Sequence, residues 1–157
     1  AVVLIAYPET KEYLWGGIGG VWRSIFTGSM IVAGSGYLMF VSMVLFGSGA
    51  EFFDRGTIMG THTLSFLCAI FLGSATVWMP STVAYINTQL LVWWIVAVSV
   101  LWITALSLIA MGIVVATTSA DETNLCKFLA LSGLLYISFH CLVLDAVVWV
   151  SKFPKTH

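Results

Sequence analysis

Polar positions are sparse along this chain, and they fall mainly between four long apolar runs: Val21–Phe46, Ile58–Met79, Leu90–Ala116 and Leu125–Val150. At ~1.5 Å of rise per helical residue, each run can cross a hydrocarbon core of ~30 Å. Short connections force consecutive helices to run antiparallel. The pattern therefore predicts an all-α, polytopic membrane protein with four transmembrane helices in an up-down bundle. The spans are expected at about 21–46, 58–79, 90–116 and 121–151, forming one transmembrane domain over residues 21–157. Residues 1–20 read as an interfacial N-terminal segment.

Local signals set these limits. Ala1–Tyr7 is apolar but too short to span, lacks the basic start and cleavage site of a signal peptide, and is stopped by Pro8. Gly16, Gly17, Gly19 and Gly20 weaken any helix there, so a flexible or bent lead-in at the membrane surface is expected. Trp22 and Arg23 suit an interface, where ring and guanidinium stay partly hydrated. The first loop, Gly47–Thr57, carries Glu51, Asp54 and Arg55. Pro80 cannot continue a helical ladder, which places the end of the second helix near Trp78. Ser81–Thr88 then becomes an uncharged crossing, held at headgroup depth or covered by a partner. The third run is about 27 residues and ~40 Å of helix, so tilt or a protruding end is expected. Thr118 with Asp121, and Ser119 with Glu122, have capping-box spacing. They start the fourth helix near Ala120 with its acids where the macrodipole favours them. That helix closes at Trp149 and Lys152, with Pro154 beyond.

Composition agrees with the pattern. Hydrophobic residues make up 60% of the 157 positions and charged residues 8%, and the mean hydropathy is +1.03. A net charge of −1 argues against a nucleic-acid partner, which calls for a basic face. In an up-down bundle both termini share one side. That side carries Lys11, Arg23, Lys152 and Lys155 against Arg55 and Lys127 on the other, which assigns the termini to the cytoplasmic, matrix or stromal side.

The clearest positional regularity is Thr61, Ser65, Ala69 and Gly73, each four residues apart on the second helix. Small residues on one face let a second backbone approach closely, which is how membrane helices associate when lipid is as apolar as leucine. Gly28, Ser35 and Ser42 form a looser stripe on the first helix, with Ser24 just outside it. The two faces are expected to meet, the alternative being that one of them meets a separate subunit. Cys68, Cys126 and Cys141 lie at unmatched depths and read as packing residues. There is no Cys-x-x-Cys and hence no redox or zinc motif.

Three ionisable residues lie well inside the apolar runs: His62, His140 and Asp145. Ionisable groups in hydrocarbon are costly, so each is a candidate site residue. Asp145 stands on the same membrane side as Arg23, and a structural Arg23–Asp145 ion pair is expected if the first and fourth helices are neighbours. The alternatives are a proton, cation or polar-ligand site, or a carboxylate that snorkels to the interface. His140 is central in its helix, placed either to hydrogen-bond a hydroxyl on a neighbouring helix or to ligate haem or chlorophyll. His62 lies near the opposite interface. The two histidines differ in depth by ~16 Å, which does not fit an axial pair on one haem. His140 and Asp145, five residues apart, point to different faces of an α-helix. An acid beside the Cys141 thiol disfavours its thiolate. No nucleophile-and-base set, phosphate loop, His-Glu-x-x-His or metal loop is present.

Three functions remain. The first is a non-catalytic accessory or structural subunit of a larger membrane complex, such as an energy-converting one, in contact with lipid or pigment. The second is an oligomeric small-solute or ion transporter or channel. The third is a membrane enzyme or carrier acting on a lipid or quinone, with His140 as the polar contact. The expected partners are membrane lipids together with other membrane subunits or further copies of the chain.

Overall fold

The computed structural model describes residues 11–46, 60–117 and 124–154. A short turn, α1 (Lys11–Leu14), precedes three long helices: α2 (Val21–Phe46), α3 (Gly60–Thr88) and α4 (Leu91–Thr117). A fourth rod begins as α5 (Asn124–Phe139), continues as a π-helix over His140–Trp149, and ends as α6 (Val150–Lys152). Among the described residues, four segments are long and apolar enough to cross a membrane: Val21–Ser42, His62–Thr88, Leu91–Thr117 and Lys127–Lys152. The protein is thus a multi-pass integral membrane protein, all-α, with its spans in an up-down bundle. The loop Gly47–Thr57, the capping residues Thr118–Glu122, and the side chains of Thr61 and Cys126 lie outside the described set.

The second span corrects the expectation drawn from Pro80. α3 does not stop near Trp78 but continues through Pro80 to Thr88. A proline at position 80 removes the ladder bond to the Thr76 carbonyl and crowds the preceding turn, yet membrane helices tolerate it where nearby groups and local adjustment relieve the strain. Just beyond that carbonyl, Ser81 Oγ donates to the Val77 carbonyl and Thr82 Oγ1 to the Trp78 carbonyl, both at 2.8 Å, adding side-chain donors to the turn that Pro80 crowds. The helix ends only at Gln89, whose φ of 55° is left-handed and whose N–H closes onto the Tyr85 carbonyl at 2.8 Å. This is an αL cap. The link to α4 is therefore just Gln89 and Leu90. At 29 residues α3 is ~44 Å long, more than the hydrocarbon needs, so it tilts or protrudes.

Around the bundle, the extensive contacts run from α2 to the fourth span, from there to α4, and from α4 to α3. α4 is the central helix. Trp94, Ala97, Leu101, Thr104, Leu108, Met111 and Val115 are all buried, and their alternating three- and four-residue spacing is the seam of a left-handed bundle. Two apolar layers stack along the rods. One, toward the far end, gathers Phe40, Phe71, Leu108, Met111 and Leu134. The other, toward the described chain ends, gathers Phe26, Tyr85, Trp94, Trp149 and Phe153.

The small-residue faces are also corrected. α2 and α3 do not meet through Gly28, Ser35, Ser42 and Ser65, Ala69, Gly73; all six of these side chains are exposed. The close backbone approach is instead between α2 and the fourth span. A Cβ built on Gly36 would stand 2.9 Å from the Gly133 Cα, and one built on Gly133 would fall on the Gly36 carbonyl. A Cβ on Gly28 would meet nothing within 4 Å. Gly133→Ala should therefore destabilise the protein by about 1–3 kcal/mol, because backbone cannot move aside as a flexible side chain can. Gly28→Ala should be neutral or slightly stabilising through helix propensity. Detergent-phase unfolding followed by circular dichroism compares the two.

Candidate functional site

The only long departure from α-helical geometry among the described residues is the ten-residue π-helix His140–Trp149, a rare conformation that is enriched at functional sites. Its wider turn has a direct chemical consequence. In an α-helix, residues five apart diverge, whereas i→i+5 bonding returns the fifth residue to nearly the same face. His140 Nε2 thus comes to 3.6 Å from Asp145 Oδ2, overturning the expectation that these side chains point apart. The distance exceeds a hydrogen bond, so the two groups are adjacent without being bonded. Asp145 also lies within hydrogen-bonding reach of the Cys141 thiol.

The other face of the imidazole is tied across the bundle. His140 Nδ1 lies 2.8 Å from Ser29 Oγ on α2, and Tyr136 OH reaches the same oxygen at 3.3 Å. Phe26 on α2 closes over the ring edge-on at 6.4 Å between centroids. His140 and Ser29 are buried, whereas the Asp145 side chain keeps 31% of its surface open. The imidazole is therefore held from behind, and the carboxyl stands at the outer edge of the cluster.

α2 and the fourth span are neighbours, but Arg23 does not reach Asp145. Its guanidinium pairs with Glu12 at 2.9 Å and lies 4.6 Å above the Trp15 ring. The N-terminal segment folds against the end of the bundle and brings those two partners closer than the carboxyl. Gly16, at φ +52°, makes this possible: a Cβ there would stand 2.5 Å from the Phe153 ring. The segment is fixed by Trp149, whose Nε1 donates to the Leu14 carbonyl at 2.9 Å. Trp149 in turn belongs to a stack with Trp78 at 5.8 Å, Trp94 at 5.8 Å and Phe153 at 4.9 Å. Both described chain ends therefore lie at one end of the bundle.

The remaining candidates stay apart from this cluster. His62 is exposed near the start of α3, and the contacts described for His140 are with Ser29, Asp145 and Phe26. Among the described residues no group of three His, Cys, Asp or Glu side chains could hold a metal. Cys68 and Cys141 are free thiols, with Cys68 Sγ 3.4 Å from Met111 Sδ. A second buried polar contact was not anticipated: Ser74 Oγ and Thr104 Oγ1 share a hydrogen bond of 2.7 Å between α3 and α4. Its position follows from the buried seam of α4, on which Thr104 lies.

Ser29, His140 and Asp145 follow one another as nucleophile, base and orienting acid do in a hydrolase. The geometry does not serve that chemistry. Ser29 is 7% exposed and sits in mid-helix, where the backbone N–H groups that would form an oxyanion pocket are committed to the ladder. What the cluster does supply is a polar tie between two spans and a carboxyl at the outer edge of the fourth. Compared with known proteins, the chain matches no family model, no curated protein and no solved structure.

Removing the Ser29 hydroxyl leaves the buried imidazole without its partner on α2, which should cost about 1–3 kcal/mol. Ser35 bonds only the Ile31 carbonyl of its own helix, so Ser35→Ala should fall within ~0.5 kcal/mol of the parent. Unfolding of Ser29→Ala and Ser35→Ala in the same detergent measures the difference. A fluorophosphonate probe is expected to leave Ser29 unmodified, which intact mass reads directly.

Proposed function

We propose that this protein is a non-catalytic structural subunit of a larger membrane assembly, in contact with lipid and with the spans of partner chains. The observation that carries the proposal is the outward direction of its small residues. Gly28, Ser35 and Ser42 on α2, and Ser65, Ala69 and Gly73 on α3, are exposed in the isolated bundle, and Cβ atoms built on Gly28, Gly34 and Gly73 meet nothing within 4 Å. Acyl chains gain nothing from such surfaces, whereas a neighbouring backbone does. The bundle closes upon itself elsewhere, through Gly36 and Gly133 and through the seam of α4, so these faces are left for other chains. The excess of basic residues in the segments that flank the two described chain ends supports placing that end of the bundle on the cytoplasmic, matrix or stromal side.

Extraction in gentle detergent should yield a particle well above the 17.1 kDa of the chain. Gly73→Leu should reduce that mass while leaving helicity unchanged, as judged by native mass measurement beside circular dichroism. A stable lone monomer of the parent protein would count against a subunit role.

A second reading, an oligomeric small-solute or ion transporter, draws on the partly open carboxyl of Asp145 at membrane depth. Four helices alone do not enclose a path, so one would have to form between copies. Flux into proteoliposomes that Asp145→Asn abolishes is the outcome expected of a transporter.

A further inference from the structure

We propose that Asp145 is the docking point for a partner's transmembrane helix that carries one basic side chain at the same depth. The inference rests on the subunit role proposed above and names the chemistry of the partner. Asp145 lies seven residues before Lys152, or ~10 Å of helix inside the membrane end marked by Trp149 and Lys152. A carboxylate at that depth is costly unless a cation or a set of donors meets it.

The chain's own described cations are engaged elsewhere. Arg23 is bonded to Glu12 and stacked on Trp15. Lys152 lies 5.8 Å over the Trp22 ring. Lys127 is eighteen residues back along the same rod, ~27 Å away. α4, which packs along the π-helix, has no ionisable residue at all. From the interior His140 meets Asp145 but stops at 3.6 Å, its other nitrogen held by Ser29, and the Cys141 thiol one turn back is the other group within reach of the carboxyl.

The carboxyl is therefore steadied from within and open at its outer edge. The fourth span also presents exposed apolar side chains on which a helix can lie, among them Leu135, Phe139 and Val147. The π-helix gives the arrangement its form, because an α-helical turn would separate Asp145 from the imidazole that backs it. A lysine or arginine on a neighbouring span would complete the charge pair inside the interface. An apolar helix would leave the carboxylate uncompensated.

The test uses the intact protein in bilayers and three leucine-rich peptides of about 20 residues. One carries a single Lys ~10 Å from its end, one a Glu at that position, and one only Leu. Trp78, Trp94 and Trp149 cluster at the same end of the bundle as Asp145 and serve as energy-transfer donors to a dye on the peptide. The Lys peptide should bind about 3- to 30-fold more tightly than the Leu peptide, the range spanned by interhelical polar contacts. The Glu peptide should not exceed the Leu peptide. Asp145→Asn should erase the preference, and Asp145→Glu, also checked for helicity, should retain it. Equal binding of Lys and Leu peptides by the parent protein, or a preference that survives in Asp145→Asn, would overturn the proposal. Particle mass keeps the two ideas separable. A large native particle with no Lys preference rejects only the docking point, and a monomer that still selects the Lys peptide rejects only the subunit role.

Discussion

Lipid offers this protein no reward for hiding apolar surface and no partner for an unbonded amide, and both facts shape the bundle. Spans hold together where they fit closely or share a hydrogen bond. The Gly36–Gly133 crossing supplies the first, bringing α2 and the fourth span to backbone contact. Ser29–His140 and Ser74–Thr104 supply the second, each joining two rods by one buried polar contact. α3 continues through Pro80 with the hydroxyls of Ser81 and Thr82 donating to the carbonyls of Val77 and Trp78, which adds hydrogen bonds to the turn the proline crowds.

Unlike the other three, the fourth span is not a uniform α-helix. Its π-helical half rotates Asp145 toward His140 and Cys141, and it ends in the aromatic stack that anchors the N-terminal segment through the Leu14 carbonyl. The π-helical half of one span therefore carries both the polar cluster and the aromatic end. Arg23 is held at the bundle's end by Glu12 and Trp15 because the chain before α2 folds back over Gly16. The membrane acid is left to the imidazole behind it and to whatever lies outside.

The outer surface then divides into regions of different character. α4 buries one face in the core and turns large apolar side chains such as Ile95, Leu106 and Ile113 outward, whereas α2 and α3 also present glycine, serine and alanine to their surroundings. Surfaces that a leucine could fill but does not are suited to another helix more than to acyl chains. Together with the open edge of Asp145, they describe a bundle that closes its own core and leaves selected faces for assembly.

Much of this was legible from the chain alone. The four spans, their antiparallel order and the shared end of the two described chain ends follow from hydropathy, length and short connections, because lipid makes those properties decisive locally. Three judgements were not legible, each for a physical reason. The heptad seam of α4 is invisible in a helix that is apolar all round, since buried and lipid-facing positions draw on the same residues. The small-residue stripes were visible, but not which of them meets a neighbour; Gly36 and Gly133 are single glycines without periodicity, and only the crossing of two rods singles them out. The pairing of His140 with Asp145 depends on helical pitch, and pitch in the fourth span departs from the α-helical spacing by which sequence positions are assigned to faces. Solvent is thus written in the sequence residue by residue, whereas the faces that meet, and the charge left at an edge, are decided only when the rods pack.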